Sequence, residues 1–121
     1  MEPKIHRAKE SDEFYTEERC HILEFANSQA DPGLSIARVR VEPGVTTALH
    51  RIEGTAERYV ILSGSGRIEV EGLAPEDVVP NDIAVIPEGA MQRITNTGDS
   101  DLIFLAICTP RFEQECYQHL E

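Results

Sequence analysis

The sequence predicts an all-β fold, a sandwich or barrel of short antiparallel strands followed by a short C-terminal helix. Three observations lead there. Ile36 to Val41 alternates strictly, with Ala37, Val39 and Val41 on one face and Ile36, Arg38 and Arg40 on the other, the two-residue period of a half-buried strand. Short apolar segments recur between turn signals rich in Gly, Pro, Asn and Asp. The run Leu102 to Cys108 is apolar throughout, which suits a strand covered on both faces.

Residues 1–18 read as an acidic N-terminal arm, because Glu10, Asp12, Glu13, Glu17 and Glu18 sit among few apolar residues; a solvated segment is expected. Residues 19–121 read as a single domain. A first strand is expected over His21 to Phe25, closed by turn-forming residues from Asn27 to Gly33. Glu42-Pro43-Gly44 ends the alternating strand, and Ala48 to Ile52 forms the next. Glu53-Gly54-Thr55 turns the chain into a strand on which Glu57, Tyr59 and Ile61 share a face. Ser63 to Gly66 predicts a hairpin into Arg67 to Glu71, and the stretch through Gly72, Pro75 and Pro80 predicts a loop. Asp82 to Ile86, Met91 to Asn96 and Leu102 to Cys108 are the remaining strands, separated by Pro87-Glu88-Gly89 and Gly98 to Asp101. Thr109 offers an N-cap and Pro110 a first-turn residue for a helix carrying Phe112, Cys116 and Leu120.

Composition narrows the function classes. A length of 121 residues fits one core. With 22 acidic and 11 basic residues the formal charge is −11, which repels phosphate backbones and anionic membranes, so neither nucleic acid nor membrane is expected as a partner. The absence of Trp and the scarcity of aromatics argue against a base-stacking platform. Three cysteines without CxxC spacing indicate neither a disulfide framework nor a thiolate zinc site. No apolar run approaches the roughly 18 residues of a membrane span, and no secretory leader is legible. A soluble, cytoplasmic protein is expected.

Two stretches carry the most specific pattern. Gly44 is followed by His50, Glu57 and Gly64, and Pro87-Glu88-Gly89 is followed by Gln92 and Asn96. Together they resemble the paired signatures of the cupin superfamily, over roughly Leu34 to Thr109. The resemblance implies an antiparallel cupin barrel, a double-stranded β-helix of jelly-roll type. His50 and Glu57 match the first His and the Glu of the first signature, whereas Ile52 stands where its second His belongs. Gln92 stands where the His of the second signature belongs, and Asn81 replaces that signature's opening Gly, an exchange Asn tolerates in left-handed geometry.

The resemblance implies a set of site residues. His50, Glu57 and Gln92 would hold a divalent metal (Mn, Fe, Ni or Zn), with water in open positions. Ile52 cannot coordinate, so the set lacks the two-histidine, one-carboxylate triad of non-haem iron oxygenases. Isomerase or lyase chemistry on a polar small molecule, with the metal as Lewis acid, is favoured over oxygenation. Two alternatives stay open. One is a non-catalytic small-molecule-binding cupin. The other is a metal-free, epimerase-like acid/base enzyme, for which His50 and Tyr59 supply the residue types and Glu57, raised by desolvation, would suit a general base. Arg38 and Arg40 would bind a substrate anion if they faced inward and surface acids if they faced outward. Cys108 would either reach the pocket or pack in the core. His6, His21 and His119 are expected at the surface. Such barrels often pair, so a homodimer is expected, with Cys20 to Phe25 as an exchanging strand.

Overall fold

Eleven strands succeed one another because apolar residues recur at every second position and Gly, Pro or Asp interrupts each run before a helical turn can form. A computed structural model describes all residues from Met1 to Glu121. A six-stranded sheet runs in the order β1 (Phe14–Tyr15), β2 (His21–Ser28), β3 (Asp31–Val41), β10 (Leu102–Thr109), β5 (Ala56–Ser63) and β8 (Ile83–Ile86). A five-stranded sheet runs in the order β11 (Tyr117–His119), β4 (His50–Ile52), β9 (Gln92–Asn96), β6 (Gly66–Val70) and β7 (Leu73–Val78). Every strand pair is antiparallel. The two sheets enclose one core, in which Val41, Ile61, Ile68, Ile94, Leu102 and Phe104 are almost fully buried. No helix is long and apolar enough to cross a membrane.

The alternating strand behaves as expected. Val39 and Val41 are buried, while Arg38 and Arg40 emerge on the outer face and pair with Glu10, Glu13 and Asp101. The arm is therefore more than a solvated tail. Its Glu10–Asp12 segment forms a 3₁₀ turn, β1 pairs with β2, and Glu13 bridges both arginines. Strand β2 pairs with β3 of its own chain, so the segment expected to exchange is seated at home. It also continues to Ser28, and β3 begins at Asp31, which reduces the expected turn to two residues.

Three connections differ from expectation. Ser63 and Gly66 do not frame a hairpin: β5 belongs to one sheet and β6 to the other, so this link crosses the barrel wall. Gly64 makes the crossing possible, with φ at +80° and its α-carbon so close to β10 that a Cβ would lie 2.6 Å from the Asp101 carbonyl oxygen. The segment containing Pro75 is a strand, tolerated because β7 is a sheet edge where a missing N–H costs no ladder bond. No α-helix follows Pro110. The chain instead makes a 3₁₀ turn at Gln114–Cys116 and then adds β11 to the open edge of β4, whose backbone groups would otherwise lack partners.

Strand β10 buries Leu102, Phe104, Ala106 and Cys108 but leaves Ile103, Leu105 and Ile107 half-buried on its outer side. Within one chain its burial is one-sided.

Candidate functional site

Register places the central residues. His50 lies opposite Gln92 where β4 pairs with β9, and Glu57 lies opposite Cys108 where β5 pairs with β10. The two-residue period of β5 turns Glu57 and Tyr59 to the same inner face. Four of these side chains form one buried chain of contacts. The Tyr59 hydroxyl donates to Gln92 Oε1 at 2.6 Å, Gln92 Nε2 donates to Glu57 Oε1 at 2.6 Å, and the Cys108 thiol reaches Glu57 Oε2 at 3.6 Å. Burial pushes the Glu57 carboxyl above its ordinary range, and the Gln92 bond only partly opposes it. Burial also raises Tyr59 well above the usual phenol range and raises the Cys108 thiol, so neither is poised to ionise.

His50 is oriented separately. Its Nδ1 donates to the Ala48 carbonyl at 2.8 Å, leaving Nε2 to face Glu18, whose Oε2 lies 3.9 Å away. The Tyr117 ring stacks on the imidazole with centroids 5.2 Å apart, and its hydroxyl lies beside the Glu18 carboxyl. Burial raises the Glu18 carboxyl, with His50 opposing.

These groups surround a cavity of about 420 Å³ that opens between the six-stranded sheet and the β4–β11 edge. His50 and Glu57 lie in its wall with Ile52, Tyr59, Phe104 and Cys108. Residues of the N-terminal arm from Phe14 to Glu18 line it as well. Gln92 is 1% exposed and lies outside the cavity wall, behind Glu57.

The structure thus brings His50, Glu57, Tyr59, Gln92 and Cys108 together. Arg38 and Arg40 are corrected: they lie on the outer face in ion pairs with Glu10, Glu13 and Asp101, and neither lines the cavity. The outward direction follows from strand alternation, since Val39 and Val41 take the inner positions.

The divalent metal implied by the resemblance fits these donors poorly. Gln92 turns its amide N–H groups toward Glu57, and its oxygen already accepts from Tyr59, so it offers no lone pair on the Glu57 side. Ile52 contributes only hydrocarbon. No three His, Cys, Asp or Glu side chains are grouped to hold a metal ion.

Sequence reasoning missed Glu18 and Tyr117. Glu18 was one of several acids in the arm; the backbone bond from Ala48 N–H to the Glu18 carbonyl, with that from Glu18 N–H to Thr16 Oγ1, fixes it over the cavity. Tyr117 was assigned to a helix that the chain does not form.

Comparisons with known proteins agree with this architecture. A family model described as "Cupin domain" matches residues 37–108. The "Oxalate-binding protein" of Thermotoga maritima is 37% identical over 90 residues, covering 74% of this chain and 73% of that protein. A Streptomyces PAC13 variant solved with uridine superposes with a TM-score of 0.80 at 16% identity, covering 99% of this chain and 92% of that one. A Lactobacillus farciminis oxalate decarboxylase in a formate complex superposes with a TM-score of 0.77 at 23% identity, covering 90% of this chain and 33% of that one.

Proposed function

This chain belongs to the cupin family, and from that premise we propose that it is a small-molecule-binding protein whose ligand enters the barrel. The ligand's polar end meets His50 and Glu57, and its body lies against Phe104, Ile52 and Val39. One observation carries this reading. A cavity of about 420 Å³ with a hydrophobic majority in its lining and a few oriented polar groups has the size and composition of a small-molecule site. The 37% identity to an oxalate-binding protein supports small-molecule binding as such, without carrying over the ligand's charge. The test is ligand-observed NMR against a panel of polar small molecules, with Ala37→Leu as control. Ala37 lines the cavity, so the larger side chain should abolish binding while amide spectra stay folded. Binding that survives this substitution would sink the reading.

A metal-free acid/base enzyme is the second reading, favoured by the pairing of an oriented imidazole with a carboxyl raised by burial. Here His50 Nε2 would exchange a proton with a substrate and Glu57 would supply or take another. Turnover that survives chelation and is lost in His50→Ala distinguishes it from simple binding. The metal-dependent isomerase or lyase reading has support from likeness to oxalate decarboxylases, whereas the engagement of Gln92 weighs against it. Stoichiometric metal in tag-free protein that disappears in Glu57→Ala would restore it.

A homodimer is also proposed. Ile103, Leu105 and Ile107 are half-buried beside exposed Leu62, Ile83 and Val85 on the outer side of the six-stranded sheet, an apolar surface suited to a second copy. Light scattering showing a monomer at micromolar concentration would reject it.

A further inference from the structure

We infer that the ligand of this cavity is a small organic ammonium ion with an apolar body. The inference rests on the cavity's being a binding site and adds the charge class of its occupant.

Charge comes first. Glu17, Glu18, Glu24 and Glu57 line the cavity, and none of the chain's 11 Lys and Arg residues does. Arg38 and Arg40, the nearest candidates by sequence, are spent on the outer face. A carboxylate or phosphate ligand would therefore meet four carboxyl groups with the His50 imidazole as the one basic group in the wall, which is costly. An ammonium ion would bring that counter-charge to Glu18 and Glu57. The Glu57 oxygens each accept one bond, from Gln92 and Cys108, and retain capacity for more.

Aromatic placement points the same way. The chain has four Phe, three Tyr and no Trp, and six of these seven rings line the cavity: Phe14, Tyr15, Tyr59, Phe104, Phe112 and Tyr117. Ring faces attract ammonium groups, most strongly where water is excluded. An aromatic wall beside four carboxyl groups, with no Lys or Arg and one imidazole, favours a cation by its electrostatics. The net charge of −11 draws cations toward the molecule from a distance.

The test uses three probes of one shape, benzylamine, benzyl alcohol and benzoate. Each is titrated into the full chain at low salt, with dissociation constants from calorimetry and the binding location from amide shifts of cavity-lining residues. Benzylamine is expected to bind about tenfold more tightly than either analogue. Glu18→Gln is expected to remove most of that preference while the amide spectrum stays that of the folded chain, which separates lost charge recognition from lost folding. Tyr117→Leu, which removes a ring and its hydroxyl, should weaken benzylamine selectively. Benzoate binding as tightly as benzylamine overturns the inference, as does a benzylamine preference indifferent to Glu18→Gln. Benzyl alcohol bound in the cavity without benzylamine overturns the ammonium assignment but keeps the cavity as a binding site. Binding of none of the three, together with failure of the wider panel, overturns both.

Discussion

Gln92 donates its side-chain amide to the Glu57 carboxylate at 2.6 Å, deep between the two sheets. The bond explains why a carboxyl that burial discourages from ionising is still accommodated, because the amide gives it a partner that water no longer can. It also commits Gln92 to holding Glu57 rather than to coordinating a metal.

Replacing Glu57 with Gln keeps an acceptor for Gln92 and removes an ionisable group whose folded pKa lies above its usual value of 4.5. Glu57 therefore favours the folded state most when protonated, and that contribution is lost as pH rises from about 4.5 through the raised folded value. Glu57→Gln should accordingly gain about 1–2 kcal/mol over the natural chain at pH 8, with the difference shrinking toward acid. Glu57→Leu should lose about 1–3 kcal/mol, because Gln92 Nε2 is left buried without an acceptor. Urea unfolding at pH 5 and pH 8 measures both.

A double substitution, Ile52→His with Gln92→His, should convert a hydrogen-bonded interior into a metal site. Both positions are buried beside His50 and Glu57, and Ile52 already lines the cavity. Elemental analysis of tag-free protein should find near-stoichiometric divalent metal in the double variant and much less in the natural chain. Equal metal in the two would mean that Gln92 coordinates after all.

Gly64→Ala should be severe. A Cβ there meets the Asp101 carbonyl oxygen at 2.6 Å and the Leu102 α-carbon at 2.9 Å, both backbone, in a residue whose φ is +80°. A loss of about 3 kcal/mol is expected. Gly44→Ala, at φ +78° but with no heavy atom within 4 Å of its Cβ, should cost only about 1 kcal/mol. Thermal melts of the two variants separate crowding from backbone strain.

Hydrogen bonds from Arg40, and then from Arg38, hold Glu13 down to about 2. A depressed carboxylate stabilises the fold above its unfolded pKa of about 4.5 and loses that contribution as pH falls through about 2. Glu13→Gln should therefore cost about 1 kcal/mol at pH 7 and progressively less as pH falls toward about 2. Parallel unfolding curves at pH 7 and at pH 3, where partial convergence is expected, check the sign.

Much of this architecture was legible from local chemistry. The outward direction of Arg38 and Arg40 and the left-handed backbone at Asn81 follow from alternation and residue type. So does the inward face shared by Glu57 and Tyr59. What escaped depends on non-local partners. Ser63 to Gly66 has hairpin chemistry, yet strand pairing sends its two flanks to different sheets. Tyr117 lies between Cys116 and Leu120, within the stretch whose spacing suggests a helix, yet the open edge of β4 recruits it into a strand. Glu18 differs from Glu17 only in what the fold places beneath it.

That recruited strand ties two properties of the molecule together. Residues 117–119 both hold the Tyr117 ring on His50 and cover the free edge of β4. Proteolytic removal of residues 117–119 would open the cavity and, in the same cut, expose a strand able to template pairing with other chains. Loss of ligand capacity and onset of aggregation should then appear together in ageing preparations, reporting on a single event.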